Sequence, residues 1–107
     1  MYRVNNWAKV LLINAKRHSD CVEIDEQFIL ELFAKQNHRC YWFNVPLIPS
    51  EIEKYPFKPS LDRLNRNLGY IKDNVVLTCY TANIGRNSTS KEIFEEFCDV
   101  LLKKGVN

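Results

Sequence analysis

The sequence predicts a small α+β domain: a β-hairpin and a short helix at the centre, with further helices before and after. Two β-rich runs, "SLDRL" and "NVVLTC", flank "NRNLGYIKD", whose Gly69 and asparagines suit a loop between paired strands. Apolar residues recur at helical spacing on either side of that unit. The length of 107 residues, with 46% hydrophobic and 26% charged residues, fits one folded unit rather than a disordered chain.

Trp7, Val10, Leu11 and Asn14 share a helical face and predict a helix from Tyr2 to Lys16. "SDCVEID" reads as a loop. Asp25 is placed to cap a second helix, in which Phe28, Ile29, Leu32 and Phe33 form an apolar stripe and which should end near Asn37. "CYWFNVPLIPS" is aromatic and β-rich before Pro46 and Pro49 interrupt it, which predicts a short strand and then a turn. "EIEKYPFKP", with Pro56 and Pro59, is an extended connector. After the hairpin, "YTANIGR" is expected to make one or two helical turns. Thr89 and Glu92 spell a T-x-x-E capping box for a last amphipathic helix carrying Ile93, Phe94, Phe97 and Leu101, and Lys103 and Lys104 suit its C-terminal dipole. The expected organisation is a single domain over 1–107: a helical lead-in (1–38), a hairpin-plus-helix core (39–88) and a terminal helix (89–107).

A net charge of +2 does not by itself point to nucleic acid. Its distribution is more telling. Between Glu53 and Ser88 six basic side chains face three acidic ones, while Asp20 to Glu31 is acidic. This fits a phosphate-contacting face and a solvated back. No window of eighteen apolar residues exists, "WAKVLLINA" is short and holds Lys9, and no signal peptide is visible. A cytoplasmic protein with no membrane partner is expected. The four cysteines, Cys21, Cys40, Cys79 and Cys98, show no C-x-x-C spacing and should be reduced there, with Cys98 a small buried apolar residue.

Asp62 sits on the first predicted strand, and Asn83 follows 21 residues later on the short helix. A hairpin packed on a helix brings such positions together. A carboxylate oxygen and an amide oxygen are hard ligands suited to one Mg²⁺ or Mn²⁺, and Mg²⁺ commonly takes only one or two protein ligands and keeps waters. Such an ion would stabilise charge on a scissile phosphate. Arg63, Arg66, Lys72 and Arg86 are available for phosphates. The bland alternative makes Asp62 a strand-end carboxylate that caps a turn or pairs with Arg63 or Arg66 across it, and Asn83 a helix cap.

"PSLDR", then "GYIKDNVVLTCYTAN" and "RN", resembles the HNH, or His-Me finger, endonucleases common in bacteriophages. "QNHRCYWFNVPL" is similar to that family's lead-in, and "NSTSKEIFEEF" to its trailing helix, so the likeness spans nearly the whole chain. The resemblance implies a ββα-metal centre and metal-dependent cleavage of DNA. It makes Asp62 and Asn83 the metal ligands, and Asn74 the residue that steadies the loop between the strands. Gly69 and Tyr70 match the turn. Arg63 falls at the usual histidine position, and Arg63, Arg66, Lys72, Arg86 and Asn87 become the DNA-contacting set.

Two departures follow. Arginine stays protonated and cannot take a proton from water, so either a metal-bound hydroxide or a base from elsewhere is required, with His38 a candidate. The family's zinc pairs fall on Cys40 with Phe43 and on Cys79 with Ala82. Two thiolates do not complete a tetrahedral site, so no structural zinc is expected and these four residues should pack as core neighbours. Two other functions stay open at this point. One is a catalytically inactive nucleic-acid-binding relative. The other is a phage-type accessory or inhibitor protein that binds a protein partner through exposed aromatics, of which Tyr55 and Phe57 are the best placed. A nuclease of this type could also act beside a larger protein. If phage-encoded, it would act in the host cytoplasm.

Overall fold

The β-branched run of "NVVLTC" needs a partner strand and finds it in "PSLDR". In the computed structural model, which describes residues 6–104, β1 (Pro59–Arg63) and β2 (Val75–Cys79) form a two-stranded antiparallel sheet. Ser60 lies opposite Thr78, Leu61 opposite Leu77, and Asp62 opposite Val76. Every residue of β2 is buried. Its outer edge is closed by a side chain: Gln36 accepts from the Leu77 N–H at 2.9 Å and donates to the Leu77 carbonyl at 2.8 Å, as a neighbouring strand would.

The loop between the strands is fixed at both ends. Asn74 closes the short 3-10 turn Lys72–Asn74, and its amide accepts from the Asn65 N–H and donates to the carbonyls of Asn65 and Gly69. The loop docks on the segment before the second helix through Tyr70 N–H to Cys21 O and Glu23 N–H to Tyr70 O, both 2.8 Å. Gly69 is needed for closeness: a Cβ there would stand 2.5 Å from the Cys21 carbonyl oxygen.

Helix α1 (Trp7–His18) runs two residues past Lys16, and residues 2–5 of the expected helix, Tyr2 included, lie outside the described residues. Its last turn carries the cations Lys16 and Arg17, which suit the negative end of the helix, and closes on His18. Helix α2 (Glu26–Lys35) begins where expected, with Asp25 Oδ1 accepting from the Phe28 N–H at 2.8 Å. It stops short of Asn37 because Asn37 and His38 take left-handed φ of 56° and 60°.

The strand expected in "CYWFNV" is absent. The segment makes a tight turn in which Cys40 N–H donates to Val45 O and Asn44, at φ 57°, returns its N–H to Cys40 O. Local hydrogen bonding around Cys40 overrides the β-propensity of the aromatics. Trp42 is instead a core residue, edge-on to Phe94 at 5.1 Å.

Helix α3 (Tyr80–Arg86) follows β2 directly. Helix α4 (Lys91–Lys104) is capped by Ser90, whose Oγ accepts from the Ile93 N–H; Thr89, the expected cap, uses its carbonyl on Arg86. Phe94 and Cys98 are the buried residues of α4, while Ile93, Phe97 and Leu101 are exposed, so only part of the expected apolar stripe is covered. The architecture is α+β: among the described residues, four α-helices around one antiparallel hairpin. Among the described residues, no helix is long and apolar enough to cross a membrane.

Candidate metal centre

Side chains two apart on a strand share a face, and so do side chains three apart on a helix. Ser60 and Asp62 on β1 thereby meet Asn83 and Arg86 on α3. Asn83 Nδ2 donates to Ser60 Oγ at 2.8 Å, and Arg86 Nη1 pairs with Asp62 Oδ2 at 2.7 Å. The carboxylate of Asp62 is buried, yet only one of its oxygens is used: Oδ2 receives both Arg86 and Trp42 Nε1–H, the latter at 2.8 Å. Among the described residues Oδ1 of Asp62 has no hydrogen bond, and neither has Oδ1 of Asn83, whose nitrogen is held by Ser60. Both residues line one open cavity of about 420 Å³, together with Arg63, Arg66, Asn87 and His18.

The structure thus gathers Asp62, Arg63, Arg66, Asn83 and Asn87 around a single cavity, while Arg86, Lys72 and Asn74 are not among the residues lining it. Arg86 is not a phosphate contact. It is 1% exposed, and its guanidinium is consumed by Asp62 and by the carbonyls of Arg63, Leu64 and Thr89. Arg86, rather than Arg63 or Arg66, is the ion-pair partner of Asp62. Lys72 lies away from the cavity, its Nζ 5.9 Å from the Phe28 ring centre. Asn74 is buried and occupied with its loop, so any part it plays is to hold β1 and β2 in place. Arg63 stacks over the Tyr70 ring at 5.0 Å. His38 stacks flat on Phe33 with ring centres 4.0 Å apart and is not among the residues lining the cavity, which removes it as a base for this centre.

His18 was missed in the sequence. It ends α1 and lines the cavity with Leu11, Asn14 and Ala15. Those positions fall at i, i+3, i+4 and i+7, so the signal was present as one helical face carrying two polar side chains.

At the zinc positions of the resembled family, Cys40 and Cys79 are each other's partners. Cys40 Sγ accepts from the backbone N–H of Cys79 at 3.2 Å and of Phe43 at 3.4 Å. The Cys79 thiol, donating to Cys40, pulls the Cys40 pKa down to about 6 against the effect of burial, and backbone N–H donors assist. The same shared hydrogen bond, with burial, pushes Cys79 up. Ala82 is fully buried beside them and Phe43 packs partly buried against the core. Burial, then the negative charge of Cys40, raises Cys98 to about 11.

The donor chemistry of the cavity suits a hard divalent ion: one carboxylate oxygen and one amide oxygen, both without a hydrogen-bond partner and both orientationally fixed through their other atom. Among the described residues no three His, Cys, Asp or Glu side chains converge as a metal group, so Asp62 and Asn83 would leave most coordination positions to water or phosphate. No family model matches the chain, and comparison with curated proteins and with solved structures finds no match.

Proposed function

We propose that the protein is a metal-dependent endonuclease that nicks or cleaves DNA, with one Mg²⁺ or Mn²⁺ held by Asp62 and Asn83. The observation that carries this reading is that Asp62 Oδ1 and Asn83 Oδ1 have no hydrogen bond among the described residues and that Asp62 and Asn83 line one cavity with the cations Arg63 and Arg66. When bound, the ion would supply charge stabilisation at the scissile phosphate and the leaving oxygen. The remaining work falls to the chain. Trp42 and Arg86 fix the Asp62 carboxylate, and Ser60 fixes the Asn83 amide. Arg63 and Arg66 hold the phosphate, and Asn87 offers a further polar contact at the cavity rim. The described cysteines are free thiols, which supports a reducing cytoplasm as the place of action, that of the host if the protein is phage-encoded.

The test is conversion of supercoiled plasmid to open-circular or linear DNA with Mg²⁺ or Mn²⁺, against EDTA and Asn83→Ala controls. Cleavage by the wild type alone is expected. A second reading, a nucleic-acid-binding relative without catalysis, is favoured by the Arg86 ion pair, which already neutralises Asp62 and weakens its pull on a cation. Gel-shift binding without cleavage at any metal concentration would establish that alternative.

A further inference from the structure

Hydrolysis by the proposed route needs a proton acceptor for the attacking water, and Arg63 cannot be one. The cavity holds few alternatives. Asp62 has one oxygen committed to Trp42 and Arg86 and the other assigned to the metal. Tyr70 is buried under the Arg63 guanidinium. His18 is the one imidazole lining the cavity, and it is exposed.

Its tautomer is fixed by its partner. Nδ1 lies 2.7 Å from the Asn14 carbonyl oxygen, one turn back along α1. A carbonyl oxygen only accepts, so Nδ1 carries the hydrogen and Nε2 of the neutral ring carries the lone pair. The same bond ties the ring to the helix and spares Nε2 from any partner among the described residues. Charges around the ring are mixed. Asp62, Arg63 and Arg66 line the cavity with it, and Lys16 and Arg17 precede it in the same turn of α1. From α3 the cavity receives only Asn83, Ile84 and, at its end, Asn87, none of them charged.

We propose that His18 is the general base of the reaction, an inference that rests on the endonuclease reading above. Nε2 accepts a proton from water as the water oxygen forms its bond to phosphorus. The phosphorus–oxygen bond to the leaving alkoxide breaks, the alkoxide takes a proton from solvent, and His18 returns its own to bulk water. Water and a phosphodiester become a phosphomonoester and an alcohol.

The plasmid assay is run across pH on wild type, His18→Gln, His18→Ala with and without added imidazole, and His38→Ala. His18→Gln is expected to lose on the order of 10²-fold or more in rate, within the range for loss of a general base. Its profile should lose the acid limb that the wild type shows, and imidazole should restore part of the His18→Ala rate. His38→Ala should match wild type. A second, activity-independent measurement is the ¹⁵N spectrum of the histidine rings in metal-free wild type, where the neutral form of His18 should be protonated at Nδ1. Full activity and an unchanged pH profile in His18→Gln overturn the proposal while leaving the nuclease reading intact. So does a lower rate with the acid limb retained and no rescue, or an Nε2–H tautomer. A wild type that cuts no DNA with either metal overturns both.

Discussion

Removing the Arg86 side chain should unfold much of what holds the candidate centre. Arg86→Met takes away the cation beside a buried carboxylate and the donors to three carbonyl groups, those of Arg63, Leu64 and Thr89. Breaking a buried ion pair by removing one partner costs about 3–5 kcal/mol. Each carbonyl left unpaired adds about 1 kcal/mol where water cannot reach it. Water entering beside Asp62 would recover part of this, giving an expected loss of about 4–6 kcal/mol, most of the stability of a small domain. Asp62→Asn should cost less, about 2–3 kcal/mol, because Arg86 keeps its three carbonyl acceptors. In the double variant the uncompensated charge is gone, so the two losses should not add. A coupling of about 3 kcal/mol is expected, the upper end for residues sharing one network. Urea unfolding of the four proteins measures it. A coupling below about 0.5 kcal/mol, or an Arg86→Met variant as stable as wild type, would refute the view that the contact between Arg86 and Asp62 Oδ2 is shielded from solvent.

Three smaller perturbations test other parts of the structure. Gly69→Ala should lower Tm by several degrees, through a loss of about 1–3 kcal/mol, because the new Cβ meets the Cys21 backbone; equal thermal stability would show that the loop is not docked there. Thr78→Val should be neutral or raise stability by up to about 1 kcal/mol, since Thr78 Oγ1 is buried without a partner, and a clear loss in urea midpoint would reveal a bond that its hydroxyl makes. The Cys40–Cys79 pair gives a pH dependence: from about 6 up to the ordinary thiol value of 9.0 the folded state has released the Cys40 proton while the unfolded state holds both, so stability rises with pH. Above 9.0 the unfolded chain loses both protons and folded Cys79 keeps its own, so the sign reverses. Denaturation under reductant should show this rise by up to about 1.4 kcal/mol per pH unit in wild type and its absence in Cys40→Ala.

What could be read from the sequence was local. The hairpin, the Asp25 cap and α3 each rest on signals within a few residues, and each is found. The meeting of Asp62 and Asn83 at one cavity follows from strand and helix periodicity once the hairpin is in place. The turn at Cys40 was hidden because it depends on left-handed Asn37, His38 and Asn44 and on a sulfur acceptor across the core, none of which propensity encodes. Arg86 was misassigned for a similar reason. An arginine in a basic stretch looks solvent-facing, and only its placement three residues after Asn83 hinted that it faces β1. His18 was overlooked because it lies 44 residues before Asp62 in the chain, and nothing local ties α1 to the hairpin.

Asp62 has two duties, and they pull in different directions. As the acceptor for Trp42 and Arg86 it is part of the core, and as the carboxylate of a metal centre it must offer Oδ1 to a cation. The arrangement separates these duties by atom: Oδ2 is spent on structure, and Oδ1 is left for chemistry. One consequence is that Asp62→Ala cannot tell ligand loss from loss of fold, because it strands Arg86 as it removes the ligand. Asn83 makes a single side-chain hydrogen bond, to Ser60, and is only half-buried, so Asn83→Ala should cost about 1 kcal/mol in stability. If Asn83→Ala abolishes metal-dependent cleavage while its urea midpoint stays near wild type, the amide acts as a ligand. If it cleaves as fast as wild type, Asp62 and water must hold the ion without it, and the two-oxygen centre is wrong.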